Sequence, residues 1–152
     1  MRCFCNSFIP FDRCCQPYHD SILPAETAEQ LMRSRYSAYV LANEDYLRRT
    51  WDSSGCPQEL ILDEKIKWIK LEIISTSAGQ RENAQGTVEF KAWFIENDKL
   101  ACLHEKSDFI RQQGRWVYYG GLLFDQPAEV LSMNQSCPCG SGKKYKRCCR
   151  NK

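Results

Sequence analysis

Val88-Glu89-Phe90-Lys91-Ala92-Trp93-Phe94 alternates: Val88, Phe90, Ala92 and Phe94 share one face of an extended chain, and Glu89, Lys91 and Trp93 the other. A period of two with apolar residues on one side is the pattern of a strand laid on a core. The flanking stretches read the same way. Residues 68–77 are rich in β-branched side chains and end in a polar turn at 78–83. Asn97-Asp98 turns the chain into a strand at 100–110, and Gln112-Gln113-Gly114 turns it into another at 115–123. Connections this short suit antiparallel neighbours, so a meander of four strands is expected.

Upstream the period changes. Thr27 followed by Gln30 fits a helix capping box just after Pro24. Met32, Tyr36, Tyr39, Val40, Asn43 and Leu47 recur at helical spacing and predict a helix over residues 26–42, its apolar members on one face. Asn43-Glu44-Asp45 reads as a break, with Asp45 capping a second short helix through Trp51. Ser53-Ser54-Gly55-Cys56-Pro57 is a loop by composition, and residues 59–67 are expected to form a third short helix. Helices followed by a meander imply an α+β fold, with helices packed on one face of a curved antiparallel sheet.

The chain has 152 residues, 43% hydrophobic and 26% charged, enough for one core with short appendages. No apolar run approaches membrane-spanning length, and the start of the chain lacks the charged-then-apolar profile of a signal peptide. The expected compartment is the cytoplasm, where cysteines stay reduced and clusters of them suggest metal. Net charge is +2, but residues 136–152 hold six bases and no acid, so the remainder is net acidic.

Eight of the ten cysteines form two blocks of one pattern, C-x-C, eight residues, then C-C: Cys3, Cys5, Cys14 and Cys15, and Cys137, Cys139, Cys148 and Cys149. Four thiolates make a closed tetrahedral site for Zn²⁺, with no position left for a catalytic water. A disulfide within C-x-C or C-C is strained, and redox centres usually use C-x-x-C. Two Zn²⁺ sites are therefore expected. The blocks are an internal repeat in which Ser7 matches Ser141, Phe11 matches Tyr145 and Arg13 matches Arg147. They differ in their loops. Gly140-Ser141-Gly142 can adopt positive φ and turn N–H groups toward sulfur, whereas Asn6-Ser7-Phe8 must make the loop without glycine. The N-terminal copy also lacks the lysines, and Phe4, Phe8 and Phe11 are expected to hold it against the core.

The run Cys137-Pro138-Cys139-Gly140-Ser141-Gly142-Lys143-Lys144-Tyr145-Lys146-Arg147-Cys148-Cys149 resembles the SEC-C motif and is similar to the zinc-binding tail of the SecA translocase, where histidine typically stands in place of Cys149. That tail contacts the SecB chaperone and the ribosome. The resemblance implies a chaperone-, translocation- or ribosome-linked protein partner, docked through Lys143, Lys144, Lys146, Arg147 and Arg150. The chain as a whole resembles the bacterial YchJ family. Matching features are the cysteine block at each end, Leu31-Met32-Arg33-Ser34-Arg35-Tyr36-Ser37-Ala38-Tyr39-Val40, Asp45-Tyr46-Leu47, Ser107-x-Phe109 and Trp116-x-Tyr118-x-Gly120. This implies a nuclear-transport-factor-2-like cone over residues 25–128, flanked by SEC-C zinc segments at 1–24 and 129–152. The missing Gly-Ser-Gly in the first block departs from the pattern.

A cone of this kind commonly holds a pocket, and Tyr36, Tyr39, Trp51, Trp93, His104, Glu105, Trp116 and Tyr118 are candidates to line it. His104 and Glu105, adjacent in a strand, point to opposite faces and cannot act on one substrate. Periodic aromatics are most simply core. Arg33, Arg35, Arg48 and Arg49 are expected on a solvated helix face or in ion pairs. Cys56 and Cys102 have no adjacent base to make a nucleophile. The basic tail can neutralise phosphates, but with Tyr145 as its one aromatic, RNA contact would be weak and non-specific. The resulting expectation is a zinc-binding cytoplasmic adaptor rather than an enzyme. A small enzyme or ligand binder using the core pocket, and a ribosome- or RNA-associated module, are the alternatives.

Overall fold

The computed structural model describes residues 1–60 and 62–152. A short helix α1 (Gln16–His19) follows the first cysteine block. Two further helices come next, α2 (Ala28–Val40) and α3 (Glu44–Arg49), and then four long strands: β1 (Lys67–Ala78), β2 (Gln85–Glu96), β3 (Lys99–Gln112) and β4 (Arg115–Phe124). The strands pair antiparallel in chain order. The linker beyond them holds one more short strand, β5 (Glu129–Val130), which pairs with Lys99 and Leu100 of β3 and was not anticipated.

The helix signals act locally. The Thr27 hydroxyl accepts from the Gln30 N–H at 3.1 Å, and the Gln30 side chain accepts in return from the Glu26 N–H at 2.8 Å. The capping box therefore closes one residue earlier than in its usual form. α3 is capped by Asn43, whose side chain accepts from the Tyr46 N–H, rather than by Asp45, and it ends at Arg49. Asp45 sits within the first turn and pairs with Arg49. The expected third helix at 59–67 includes residue 61, outside the described residues. On either side of it the chain is not helical, and Lys67 already belongs to β1. The Asp63 side chain accepts from the Lys65 N–H in a turn. Leu60 and Leu62 pack on Tyr46 and Leu47 without helical spacing to hold them.

Ala28, Leu31, Met32 and Tyr36 form the buried stripe of α2, at the spacing of one helix face. They meet Leu71, Val88, Phe90, Ala92, Phe109 and Trp116 from the sheet. The sheet curls around them because three positions interrupt its ladders. Register slips between Trp68 and Lys70 and between Ile73 and Ser75 in β1, and opposite Asp108 and Phe109, where Tyr119 of β4 is the extra residue. Each bulge bends its strand and adds twist.

Arg35 departs from its expected solvated position. It is 3% exposed, held between the rings of Trp51 and Tyr118 at 5.0 Å each, and donates to the Leu47 carbonyl and the Thr50 hydroxyl. Two aromatic faces and two acceptors replace the water that a guanidinium loses on burial. Arg33, Arg48 and Arg49 pair four residues back with Glu29, Glu44 and Asp45.

Candidate metal centres

The sulfurs of Cys3, Cys5, Cys14 and Cys15 lie within 4.8 Å of one another, and so do those of Cys137, Cys139, Cys148 and Cys149. Thiolates about 2.3 Å from a tetrahedral Zn²⁺ stand about 3.8 Å apart. Cys5–Cys14 at 3.6 Å, Cys14–Cys15 at 4.0 Å and Cys139–Cys148 at 3.4 Å bracket that edge. All ten cysteines are free thiols. Four convergent sulfurs fit a soft four-coordinate ion and would fill its sphere, leaving no open position on it for water.

The two loops are built alike despite their different sequences. Asn6 and Phe8 take φ 65°, where Gly140 and Gly142 take 82° and 84°. The Cys3 N–H donates to the Ile9 carbonyl as the Cys137 N–H does to Lys143, each at 2.8 Å. A short 3-10 helix, Phe11–Arg13 or Tyr145–Arg147, then delivers the closing cysteine pair. Asparagine tolerates the left-handed region, and its side chain accepts from the Leu71 N–H at 2.8 Å, covering the edge strand β1. Phe8 does not tolerate it well, since left-handed backbone costs a residue with a Cβ about 1–2 kcal/mol. Its ring is 68% exposed beneath the Arg2 guanidinium and does not anchor the block as expected. Phe4 and Phe11 do pack on the core.

Ser7 and Ser141, the loop residues that the two copies share, place their hydroxyls 3.1 Å from Cys14 Sγ and 3.2 Å from Cys148 Sγ. The sequence signal was there: serine persists at this position where both neighbours change. A hydroxyl directed at a ligand sulfur stabilises its thiolate. Ser141→Ala is expected to weaken metal binding about tenfold or more, measured by competition with a chromogenic chelator; an unchanged affinity would remove the hydroxyl from the site's support.

The thiols of each cluster are driven apart in acidity. Hydrogen bonds from Cys15 and then Cys5 hold Cys3 far below the ordinary thiol range, and the same bond to Cys3 pushes Cys15 up. Burial pushes Cys14 up to about 11. Burial also opposes ionisation of Cys139, but the Ser141 hydroxyl and N–H and the neighbouring thiols outweigh it, lowering this cysteine to about 6. Burial is the chief cause that pushes Cys149 up. Cys3 and Cys139 thus favour the thiolate form, and a bound metal ion would favour ionisation of Cys14, Cys15 and Cys149.

The blocks dock on different parts of the core. In the first, Cys3, Cys5 and Cys15 belong to the same buried cluster as Leu31, Tyr36 and Phe90. Arg33 donates to the Cys5 carbonyl at 2.7 Å, and Ser37 lies 3.6 Å from Cys3 Sγ. The second forms a separate cluster with Ile95 and Leu131, next to Ile69 of β1 and Leu100 of β3. Lys67 donates to the Cys149 carbonyl at 2.6 Å, and Tyr145 to Asp98 at 2.7 Å. Lys143, Lys144, Arg147 and Arg150 are exposed and Lys146 is half-buried; Arg150 pairs with Asp98 at 3.3 Å.

The candidate pocket residues are dispersed. Tyr36 and Trp116 are core. Tyr39 lies 6.1 Å from Trp68, and Trp51 and Tyr118 enclose Arg35. Glu105 accepts from the Tyr118 hydroxyl at 3.0 Å and from Ser107, while His104 faces the other way, 2.8 Å from Glu89 and stacked on Phe124. Trp93 lies beside Lys70 and Lys91, also away from the helices. None of the helices is long and apolar enough to cross a membrane among the described residues.

Residues 27–121 match the model of the YchJ middle NTF2-like domain, and residues 133–151 match the SEC-C motif. A UPF0225 protein of Photorhabdus laumondii is 42% identical over 155 residues, covering 97% of each chain. One from Vibrio cholerae is 38% identical over 154 residues, covering 98% of this chain and 99% of the other. Among solved structures, a SEC-C motif containing protein from Rhodopseudomonas palustris superposes with a TM-score of 0.72 at 32% identity, over 82% of this chain and all of that one. Another, from Psychrobacter arcticus, gives 0.61 at 30% identity over 99% and 96%. A curled sheet closed by helices, a SEC-C knuckle and full-length relatives converge on one conclusion: this chain belongs to the YchJ (UPF0225) family.

Proposed function

We propose that the protein is a zinc-binding cytoplasmic adaptor whose C-terminal knuckle docks on the acidic surface of a protein partner. Zn²⁺ is the ion that four thiolates in a closed tetrahedral set favour, and such sites persist in a reducing compartment. The observation that carries the docking role is the clamping of the knuckle to the core. Lys67, Tyr145 and Arg150 tie it to β1 and the β2–β3 turn, while Lys143, Lys144 and Arg147 stay exposed. A rigid support of this kind presents charge without the ordering cost that a flexible tail would pay on binding. Partners of the chaperone, translocation or ribosomal kind fit by likeness to SEC-C tails. Tyr145 is buried, so the knuckle offers no aromatic for stacking a base, which favours a protein surface over single-stranded RNA.

The test is affinity capture with the metal-loaded chain and with a Lys143→Glu, Lys144→Glu, Arg147→Glu variant, each with and without nuclease. Partners that survive nuclease and are lost in the variant are expected. An unchanged partner set would remove the knuckle as docking element, and loss on nuclease treatment alone would favour the RNA reading.

A further inference from the structure

A cavity of about 420 Å³ lies where the segment leaving the first cysteine block, the start of α2, the end of α3 and the β3–β4 turn meet. That volume is within the range of small-molecule sites. It shares only Trp116 with the pocket expected from the sequence.

Its walls are fixed before any ligand arrives. The Trp116 indole N–H donates to the Glu26 carbonyl at 3.0 Å, and Arg111 covers the ring at 4.6 Å. Arg49 is held by Asp45, Ser21 and the His19 carbonyl and lies 4.7 Å from the Tyr46 ring. The β3–β4 turn has two central residues at positive φ, Gln113 at 52° and Gly114 at 79°. Nothing lies within 4 Å of a Cβ at Gly114, so glycine serves the turn's backbone there and not a close contact. Positive φ at both positions matches the twist of the strands and sets Arg115 at the rim, beside Trp116.

The charge of the cavity is one-sided. Arg49 and Arg115 line it, and no carboxylate does among the described residues. Asp45 is turned to solvent and engaged by Arg49, and Glu26 is paired with Arg81. Arg115 is exposed and makes no ion pair among the described residues. Tyr46 and Trp116 line it as buried rings, and Tyr18, only partly buried, offers the flat apolar contact. A cation would meet two guanidinium groups here, and a purely apolar molecule would leave Arg115 unused.

We propose that this cavity binds a small planar organic carboxylate, its ring against Tyr18 and its carboxylate on the Arg115 guanidinium. Arginine recognises a carboxylate through two parallel N–H donors, and Arg115 has its donors available. Arg49 lines the same cavity but is already engaged by Asp45, so Arg115 is the cation left to meet the carboxylate.

Naphthalene-1-carboxylate titrated into the metal-loaded full chain, followed by amide chemical shifts, tests this. Saturable shifts are expected at residues 18–25, 49–50 and 113–116, with a dissociation constant on the order of 0.1–1 mM for so few atoms. The neutral analogue 1-naphthalenemethanol and the Arg115→Gln variant should each bind about tenfold more weakly. An unchanged thermal midpoint is expected for Arg115→Gln, whose side chain makes no ion pair among the described residues. The proposal is overturned by any of three results: no saturation up to about 10 mM, shifts centred on the cysteine knuckles, or equal affinity of the neutral analogue or of the variant.

Discussion

Cys5→Ser is expected to unfold the core and not merely the start of the chain. Cys5 is fully buried and shares a cluster with Leu31, Tyr36 and Phe90. Losing its sulfur removes a candidate metal ligand and leaves the Cys3 and Cys15 thiols buried among apolar side chains. Structural zinc contributes about 10–16 kcal/mol in small finger peptides, comparable to the whole stability of a domain, about 5–15 kcal/mol. Part of that is retained here by the packing of Phe4 and Phe11, so a loss of about 5 kcal/mol or more is expected. For a chain of this size that lowers the thermal midpoint by about 10 °C or more. Calorimetry combined with native mass spectrometry checks it. A variant that carries one metal ion and melts within about 2 °C of the wild type would falsify the role given to the N-terminal site.

Cys148→Ser should behave differently, although it too removes one of four sulfurs from a loop built the same way. The second knuckle packs in its own cluster with Ile95 and Leu131, outside the interior that α2 covers. Without metal, residues 131–152 should lose hydrogen-exchange protection, and Lys67 and Asp98 should lose their partners at Cys149 and Tyr145. The sheet should stay folded, because Val88, Phe90 and Phe109 do not depend on that cluster. The core should lose only about 1–3 kcal/mol, from re-exposure of Ile95 and Leu100. Exchange measured residue by residue separates the outcomes: loss of protection throughout β2 and β3 would show that the knuckle is integral to the core.

Much of this contrast was legible in the chain. The ligands and loop of each knuckle follow from side-chain chemistry and from spacing within about a dozen residues. So do the cap at Thr27 and the strand alternation of β2. Where local reading failed, a distant partner had overridden it. Arg35 reads as a solvated helix residue until Trp51 and Tyr118 enclose it. Residues 59–67 have helical composition, but Leu60 and Leu62 are drawn onto Tyr46 and Leu47. Phe8 reads as an anchor, yet the loop turns it outward because the metal-binding geometry needs positive φ there.

Two four-cysteine knuckles and an alternating sheet beneath a helix follow from the chain alone, because thiolate chemistry and the periods of 2 and 3.6 are written in neighbouring residues. How each knuckle is attached is set by contacts between distant parts of the chain. One is built into the core through Arg33, Ser37 and Leu71, and the other is clamped outside it through Lys67 and Asp98. These contacts join residues far apart in the chain, and the curl imposed by the β-bulges chooses which of them meet.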